Sequence, residues 1–388
     1  MPSGFSKRCC LMRADFFYEI CISSGCIIAD WFWSCHAMPY ASGCVDRGRG
    51  RLLISCRDHP GNLVDLIRRR GYFTSILSLQ DALVSCPQNG DGCPTLAHEH
   101  WLGSSQEQDA LECLDFIKEV KVDWLIVDHY ALDKRWEKLL KPVCENLMVI
   151  DDLADRDHEC DLLLDQTFRR RSVDYDLRVP RDCQLLCGAN YALLRPEFLS
   201  FRPHSLSRRS RPQISRILIT MGGVDKDNVT GRILSALCYC AVPVGCKVIV
   251  VMGAAAPWLD DVRQLVSRMP YQAEVFIDVS NMAELMAGSD LSIGAAGATA
   301  WERCCLGLPS VMAVLADNQK FAAKLLEESG AALLLTIDDF LVLRLNLLLA
   351  MLTYNKRSLR LLCENASKVT DGKGCMRVVD RLINEVAR

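Results

Sequence analysis

The segment from Leu291 to Gln319 limits the possible folds more than any other part of the chain, because two apolar strands here enclose one short helix. Its pieces follow in order: a strand at Leu291 to Ile293, a turn at Gly294 to Gly297, a helix at Thr299 to Leu306 and a second strand at Ser310 to Leu315. Gly307 and Pro309 end the helix. Two strands joined through a helix run parallel, so this segment predicts an α/β fold.

The start of that helix is a candidate binding site. Gly297, Ala298 and Thr299 are small, so a ligand can approach their backbone N–H groups. A helix N-terminus favours an anionic group by about 0.3–1 kcal/mol when exposed. The pattern therefore predicts a phosphate or diphosphate ligand, with Glu302 one turn inside the helix to accept hydrogen bonds from ribose hydroxyls. The alternative is that Gly294 and Gly297 only allow the helix to pack closely on the sheet.

Length and composition indicate an ordinary globular protein with room for two domains. The chain has 388 residues, half of them apolar, and a formal net charge of −3, so neither nucleic acid nor an anionic membrane surface is expected as a partner. The apolar stretch from Phe16 to Trp33 imitates a signal peptide but is interrupted by Glu19 and Asp30. No other run in the sequence is long and apolar enough to span a bilayer. We expect no membrane association.

The cysteines and histidines do not indicate a metal site or a disulfide framework. The chain has 21 cysteines, but no C-x-x-C pair recurs at the spacing of a zinc site. Cys304 and Cys305 lie in an apolar element, where cysteine acts as a small hydrophobic residue. His98 and His100 form an H-x-H motif, and such a pair in a loop is more often solvated than bound to a metal. We therefore predict a protein of the reducing cytoplasm that holds no metal.

Strands and helices alternate along the chain in two separate stretches. Residues 51–200 and residues 213–388 each show this alternation, which predicts two Rossmann-like domains built on parallel sheets. Residues 201–212 are polar, basic and bounded by proline, and they predict the linker between the domains. Residues 1–50 show no period of 2 or 3.6 and fit neither helix nor strand.

Polar residues gather where the predicted strands end, and open α/β sheets place their ligands at such ends. In the first domain one strand ends in Asp128, His129 and Tyr130, and a later strand ends in Asp151 and Asp152. The second domain offers polar or small residues after three strands: Gly222 and Gly223, the turn from Gly297 to Glu302, and Asn318 with Gln319. Two such domains predict a ligand cleft between these sets.

Several motifs, in this order along the chain, resemble one known family. They are D-H-Y-A-L-D, D-D-L-A-D-R followed by C-D-L-L-L-D-Q-T, C-G-A-N-Y-A-L-L-R-P-E-F, M-G-G-V-D-K-D-N and A-A-G-A-T-A-W-E-R-C-C-L-G-L-P. Together they resemble PseG, the UDP-2,4-diacetamido-2,4,6-trideoxy-β-L-altropyranose hydrolase family of pseudaminic acid synthesis. The resemblance runs from about Arg57 to the C-terminus, and it implies a GT-B fold like that of MurG.

The resemblance also implies roles for individual residues. The C-terminal half of the family binds UDP, which places Glu302 at the nucleotide and Gly222 and Gly223 at the diphosphate. Tyr130 would lie beside the sugar. The implied reaction is C–O cleavage at the anomeric carbon with inversion, without metal or cofactor, by a water molecule that a nearby base activates. We expect a cytoplasmic monomer whose partner is its UDP-sugar substrate.

The N-terminus departs from the family, which opens with a strand and a glycine loop whose histidine is the general base. No such loop exists in this sequence. Translated one nucleotide later, however, Trp33 to Val45 can encode G-H-V-M-R-C-L-T-L-A-D-A-L, and Ser23 to Ile27 can encode R-A-D-A-S. We infer that residues 1–50 are an out-of-frame segment that replaces the first strand and the glycine loop, with the frame regained between about Asp46 and Leu52. The R-A-D at Arg13 to Asp15 is then a coincidence.

Two other functions stay open on the sequence alone. A MurG-type glycosyltransferase would bind an acceptor where PseG binds water. A catalytically impaired UDP-sugar-binding protein would account for the missing histidine. Single residues have structural alternatives too, since Asp128 and Asp151 can cap helices, His129 can be a satisfied core residue and Trp301 can belong to the core.

Overall fold

The computed structural model describes residues 51–59, 62, 64–69, 73–79 and 96–386, together with the backbone of 15–20. The chain forms two parallel β-sheets with helices packed against them, in an order that alternates strand and helix along the sequence. This arrangement confirms the predicted α/β class with two Rossmann-like domains.

The sheet of the first domain runs in the order β3-β2-β1-β4-β5-β6-β7, and all its paired strands are parallel. Its strands are β1 Asp15–Ile20, β2 Arg51–Arg57, β3 Phe73–Leu77, β4 Val122–Val127, β5 Cys144–Ile150, β6 Leu162–Asp165 and β7 Gln184–Cys187. Its described helices are α1 Val64–Arg69, α2 Gln106–Ile117 and α3 Lys134–Leu140. Strands β4 and β6 are buried along their whole length because a parallel sheet is covered on both faces.

Strand β1 corrects one expectation about the N-terminus. Asp15–Ile20 lies between β2 and β4 and pairs in parallel with both, whereas the pattern of residues 1–50 predicts no strand. Periodicity fails here because a central strand needs no alternation of apolar and polar residues. Asp15–Ile20 therefore occupies the position of the first strand in the sheet. The out-of-frame origin of this segment stays a prediction, and the altered loop at Trp33 to Val45 lies outside the described residues.

Helix α4, at Pro196–Arg208, occupies most of the predicted linker. Its polar side chains hold the second domain: Arg202 Nη2 donates to the Ser367 carbonyl oxygen at 2.8 Å, and Ser205 Oγ donates to the Leu306 carbonyl oxygen at 2.7 Å. The segment still joins the two sheets. The linker prediction is corrected in form, because the segment is mostly helical and Arg202, Ser205 and Arg209 donate to backbone carbonyl oxygens of the second domain.

The sheet of the second domain runs in the order β10-β9-β8-β11-β12-β13. Its strands are β8 Arg216–Thr220, β9 Lys247–Met252, β10 Ala273–Ile277, β11 Leu291–Ala295, β12 Ser310–Ala313 and β13 Leu333–Leu334. Its helices are α5 Val229–Leu237, α6 Leu259–Ser267, α7 Met282–Ala287, α8 Thr299–Cys305, α9 Gln319–Glu328, α10 Leu341–Tyr354 and α11 Lys356–Ser367. The predicted strand–turn–helix–strand segment is confirmed as β11, α8 and β12.

The last helix, α12 at Gly374–Val386, returns to the first domain. Trp124 Nε1 in β4 donates to the carbonyl oxygen of Leu382 at 3.1 Å. A Cβ on Gly374 would come within 2.2 Å of the Ala192 carbonyl oxygen, which shows how closely the chain passes here. The prediction that the second domain extends to residue 388 is corrected, since this helix packs against the other domain.

The sequence analysis does not predict three further elements, β7, β13 and α11. Strands β7 and β13 have four and two residues and lie at the edges of their sheets, so tertiary pairing decides them more than local periodicity. Helix α11 does carry a helical period, with Leu359, Leu362, Cys363 and Ala366 buried, and this signal could have found it. In the part of the chain that the structure describes, every helix is too short or too polar to cross a membrane.

Candidate functional site

A cleft lies between the carboxyl ends of the two sheets. We call its first-domain side the first lip, which consists of Asp128, Tyr130, Ile150, Asp151, Asp152, Gln166 and Thr167. The second lip, from the other domain, consists of Ala296, Gly297, Ala298, Trp301, Asn318, Gln319, Phe321 and Ala322. The cleft that the strand ends predict is therefore present.

The structure brings only some of the predicted site residues to this cleft. Those that line it are Asp128, Tyr130, Gly297, Ala298, Asn318 and Gln319. Those outside the lining are His129, Gly222, Gly223, Thr299 and Glu302. The chemical role of each residue in both groups stays a prediction.

Tyr130 connects the two lips. Its hydroxyl donates to Asp152 Oδ2 at 3.1 Å and also hydrogen-bonds the Asn318 side chain of the second lip. Burial, followed by the charge of Asp152, raises the pKa of Tyr130 above its usual range, so the phenol keeps its proton. The Arg156 guanidinium carbon lies 6.0 Å from the centre of its ring. Tyr130 is thus a fixed hydrogen-bonding group between the domains.

Three carboxyl groups, Asp151, Asp152 and Asp165, lie together at the first lip. Arg156 Nη1 is 2.8 Å from Asp151 Oδ1, and Arg170 Nε is 2.5 Å from Asp165 Oδ2. Two of the three carboxyls therefore have an arginine partner. Among the described residues, no group of three possible ligands is arranged to hold a metal ion. Metal independence stays a prediction.

These neighbours move the pKa values of Asp151 and Asp152 in opposite directions. Burial alone raises the pKa of Asp151, but Arg156 and a 2.7 Å hydrogen bond from Tyr175 outweigh it and hold the value below the usual range. Burial, then the charges of Asp151 and Asp165, raise the pKa of Asp152 to about 7. Asp152 therefore changes its charge near neutral pH, and burial raises the pKa of Asp165 as well.

His129 lies behind the first lip and is 5% exposed. Its Nδ1 accepts a hydrogen bond from the Ala131 N–H at 3.1 Å. Burial, then the charge of Arg156, lowers the pKa of His129 to about 3, so the ring is neutral and its proton is on Nε2. This geometry favours the alternative that His129 is a satisfied core residue.

The glycines of the turn after β11 differ in their surroundings. A Cβ on Gly294 would come within 2.4 Å of Arg303 Nη1 and 2.8 Å of the Thr220 carbonyl oxygen. Arg303 is fully buried there, and its Nη2 donates to the Ala295 carbonyl oxygen at 2.6 Å. Gly294 thus makes room for a core arginine, as the packing alternative holds, while Gly297 faces the cleft.

Glu302 is buried on α8, with 3% of its surface exposed. Its Oε1 lies 3.8 Å from Nη2 of Arg195, and Arg195 Nη1 also lies 2.8 Å from Glu197 Oε1. Thr299, one turn earlier, is 8% exposed. The predicted contact between Glu302 and a ribose stays a prediction, and in this structure its neighbour is an arginine at the start of α4.

Gly222 and Gly223 form a tight loop after β8. Gly222 has a φ of +89°, a left-handed conformation that favours glycine. The Gly253 N–H donates to the Gly223 carbonyl oxygen at 3.2 Å, and a Cβ on Gly253 would lie 2.3 Å from that oxygen. The close packing of these two loops is enough to account for glycine at these positions. Contact of Gly222 and Gly223 with a diphosphate stays a prediction.

Three residues that are not predicted as site residues also line the cleft. Gln166 and Thr167 follow β6 and end the motif C-D-L-L-L-D-Q-T, and their position after a strand is the signal that could have found them. Phe321 on α9 carries no such signal. The Arg170 guanidinium carbon lies 4.8 Å from the Phe321 ring centre, a contact between the domains that exists only in the folded protein.

Two parallel-sheet domains that face each other across a cleft, with a last helix returning to the first domain, define a GT-B architecture. The MurG structure of Acinetobacter baumannii shares it, with a TM-score of 0.68 over 95% of this chain and 99% of that chain at 16% identity. Residues 236–380 match the glycosyltransferase family 28 C-terminal domain.

Two proteins of related sequence indicate which family of GT-B proteins this chain resembles. The UDP-2,4-diacetamido-2,4,6-trideoxy-β-L-altropyranose hydrolase of Campylobacter jejuni is 29% identical over 219 residues, which are 56% of this chain and 76% of that protein. The spore coat polysaccharide biosynthesis protein SpsG of Bacillus subtilis is 26% identical over 310 residues, 77% of this chain and 88% of that protein. The resemblance to the PseG family is thus confirmed.

Proposed function

We propose that this protein hydrolyses a UDP-sugar to UDP and the free sugar. The proposed substrate is UDP-2,4-diacetamido-2,4,6-trideoxy-β-L-altropyranose, which would place the enzyme in pseudaminic acid synthesis. Similarity to the Campylobacter hydrolase supports this substrate. The observation that carries the proposal is the cleft itself, in which carboxyl and hydroxyl groups stand opposite a lip without charged residues.

The second lip suits the diphosphate of the nucleotide. Gly297 and Ala298 are only half-buried, so an anionic group can approach the backbone N–H donors at the start of α8. No acidic residue of the second lip repels a diphosphate, because the lining residues there are uncharged. In the proposed complex the nucleotide lies on the second domain and the sugar on the first.

The first lip suits hydrolysis at the anomeric carbon. A water oxygen attacks that carbon on the face opposite the diphosphate, and the bond from the carbon to the UDP oxygen breaks. The bonding electrons leave with UDP, and the proton of the water passes to a basic group on the first lip. Tyr130 keeps its proton and is placed to hydrogen-bond the sugar beside Asn318.

Product analysis tests the proposal. The protein is incubated with the UDP-sugar alone, and UDP and free sugar are separated by anion-exchange chromatography. Proton NMR at early times then reports the anomeric configuration. Release of the inverted free sugar without any acceptor supports hydrolysis. Turnover only after addition of an acceptor alcohol would overturn it in favour of transfer.

Two further candidates have an observation in their favour. A MurG-type glycosyltransferase is favoured by the glycosyltransferase domain match over residues 236–380. A UDP-sugar-binding protein without turnover is favoured by the absence of a G-H loop in this sequence. UDP binding measured by calorimetry, with neither hydrolysis nor transfer, identifies the last of these.

A further inference from the structure

We propose that helix α10 is a docking surface for a second copy of this chain, and that two copies pair through it as a symmetric dimer. Helix α10 carries apolar side chains on the face that packs into its own domain and also on the opposite, exposed face. The inference does not depend on the proposed hydrolase function. It departs from the monomer that the family resemblance implies.

One face of α10 belongs to the core of the second domain. The buried side chains of this face are Leu341, Leu345, Leu349 and Leu352. They belong to the hydrophobic core that covers strands β8 and β9. A surface helix needs only one apolar stripe to pack against its own domain, and a helix that is apolar all round is normally buried. The opposite face of α10 therefore indicates a partner.

The exposed face carries a second apolar stripe, which we call the apolar seam. It consists of Phe340, Leu343, Leu347, Ala350 and Tyr354. All of these side chains except the half-buried Ala350 are more than half exposed. Their spacing alternates between three and four residues, which is the repeat with which two helices pack along each other in a coiled coil. The seam therefore predicts another helix as its partner.

The exposed face of a neighbouring helix, α9, has a different composition. Apart from Phe321, its exposed side chains are all charged: Lys320, Lys324, Glu327 and Glu328. Single apolar residues on a surface are ordinary, whereas a contiguous apolar patch marks a site of interaction. The seam of α10 is such a patch, because none of its five positions holds a charged residue.

The charges at the two ends of α10 indicate that the partner is a second copy. Asp338 and Asp339 precede the helix, and Lys356, Arg357 and Arg360 follow it. All except the half-buried Asp338 are exposed. Two identical helices packed antiparallel place the acidic end of each beside the basic end of the other, so the contact is self-complementary about a two-fold axis. A parallel pair would bring like charges together.

The seam also predicts the register of the pair. Leu347 is the middle one of the five positions, so in an antiparallel pair it lies on the two-fold axis and faces Leu347 of the second copy. Phe340 then meets Tyr354 of the second copy. Leu343 packs beside Ala350 of the second copy, which gives a row of apolar contacts along both helices.

Asp339 is the carboxylate that a second copy can reach at the acidic end. Asp338 already lies 3.0 Å from Arg344 of the same helix, and its Oδ1 accepts the Phe340 N–H at 2.9 Å. Asp339 is exposed, and in this register it comes near Lys356 of the second copy. Charges of these signs also suit the dipole of α10 itself. The seam therefore carries the proposal, and charge reversal tests the orientation of the pair.

The size of the surface predicts a weak dimer. Helix α10 has 14 residues and is about 21 Å long. One pair of such helices buries less than the about 1,600 Å² of a standard interface, so we expect a dissociation constant in the micromolar range. The seam residues are not among the described residues that line the cleft, so pairing leaves the cleft open to substrate.

Sedimentation velocity of the full chain at increasing concentration tests the dimer. The wild type should change from monomer to dimer between about 1 and 100 µM, as expected for an interface of this size. Leu347→Glu places two carboxylates face to face on the axis and should weaken association at least about a hundredfold. Leu111→Glu is the matched control, since Leu111 is also a more than half-exposed leucine on a helix, but of the first domain. It should associate as the wild type does.

Two charge-reversal variants test the antiparallel arrangement without changing the seam. Asp339→Lys and Lys356→Glu each bring like charges together and should each weaken self-association by about three- to tenfold, since a dimer holds two such contacts. An equimolar mixture of the two variants should associate as tightly as the wild type. The reason is that the mixed dimer pairs opposite charges at both ends.

The remaining outcomes overturn the proposal. A wild type that stays monomeric over this range of concentration does so, and so does association that Leu347→Glu leaves unchanged. A mixture that associates no better than the single charge-reversal variants overturns the antiparallel pair. A monomer that cosediments with phosphatidylcholine vesicles identifies a membrane as the partner of the seam and overturns the second copy. If circular dichroism shows that Leu347→Glu does not fold, the charge-reversal mixture decides.

Discussion

Removing the Arg156 guanidinium should destabilise the first domain more than most single substitutions. Arg156 is 5% exposed, and its Nη1 lies 2.8 Å from Asp151 Oδ1. Its Nε donates to the Leu132 carbonyl oxygen at 2.9 Å, and its Nη2 to that of His129 at 3.3 Å. Arg156→Met fills a similar volume but leaves a buried carboxylate and two carbonyl groups without this partner.

The size of the effect follows from this geometry. Breaking a buried ion pair by removing one partner costs about 3–5 kcal/mol. Against a domain stability of about 5–15 kcal/mol, that is a large fraction. With a urea dependence of about 2–3 kcal/mol per molar, the upper part of the usual range, the midpoint of the first-domain transition should fall by about 1–2.5 M. Urea titration followed by tryptophan fluorescence measures it, because Trp124 and Trp136 are both buried in this domain.

The loss of folding stability in Arg156→Met should also depend on pH. Arg156 holds the pKa of Asp151 below its unfolded value, so the pair stabilises the fold above the usual carboxyl pKa and loses that effect as pH falls. In Arg156→Met, burial is no longer opposed and the pKa of Asp151 rises. The loss of stability should therefore be larger at pH 7.5 than at pH 5.

Arg171→Met is the matched control for the urea experiment. Arg171 is 74% exposed and lies 3.6 Å from Asp174, so its removal should change stability by less than about 0.5 kcal/mol. Equal midpoints for the two variants would refute the reasoning. A deficit in Arg156→Met that grows on acidification would refute it as well.

Three further predictions concern function. Tyr130→Phe removes the hydroxyl that joins Asp152 to Asn318 and should lower turnover at least about tenfold with UDP affinity nearly unchanged; equal losses in both would place Tyr130 in the structural core. UDP affinity measured by calorimetry should be the same with and without EDTA, and it should be weaker in Glu302→Ala. Loss of UDP binding in EDTA would contradict metal independence, and unchanged affinity in Glu302→Ala would contradict the predicted nucleotide site. Rewriting residues 1–50 in the shifted frame should raise the hydrolysis rate by about 10²–10⁴-fold, as expected for an added general base, whereas full activity of the present chain contradicts the frameshift hypothesis.

Much of the fold could be predicted from the sequence because its signals are local. The periods of apolar residues locate strands such as Arg216–Thr220 and Lys247–Met252, which the structure has with the same bounds. Polar residues after strand ends, such as Asp128 and Asn318, predict the cleft because the ends of parallel strands meet at one edge. These inferences need only the neighbours of a residue along the chain.

The direction and surroundings of each side chain could not be predicted in this way. His129 and Tyr130 are adjacent in sequence, yet one is buried behind the cleft and the other lines it. They lie in the loop after β4, where the strand's alternation of side chains has ended and the loop conformation sets their directions. Glu302 faces Arg195, which is 107 positions away in the chain. Only the folded chain decides which of these residues meet.

The sequence by itself therefore determined the α/β class, the two sheets and the edge at which they face each other. The tertiary structure alone decided the electrostatics of the site. Asp151 and Asp152 are neighbours of the same residue type, but Arg156 holds the pKa of the first below its usual range, while burial and two nearby carboxylates raise the second to about 7. Charges act over distances in space, and the fold sets those distances.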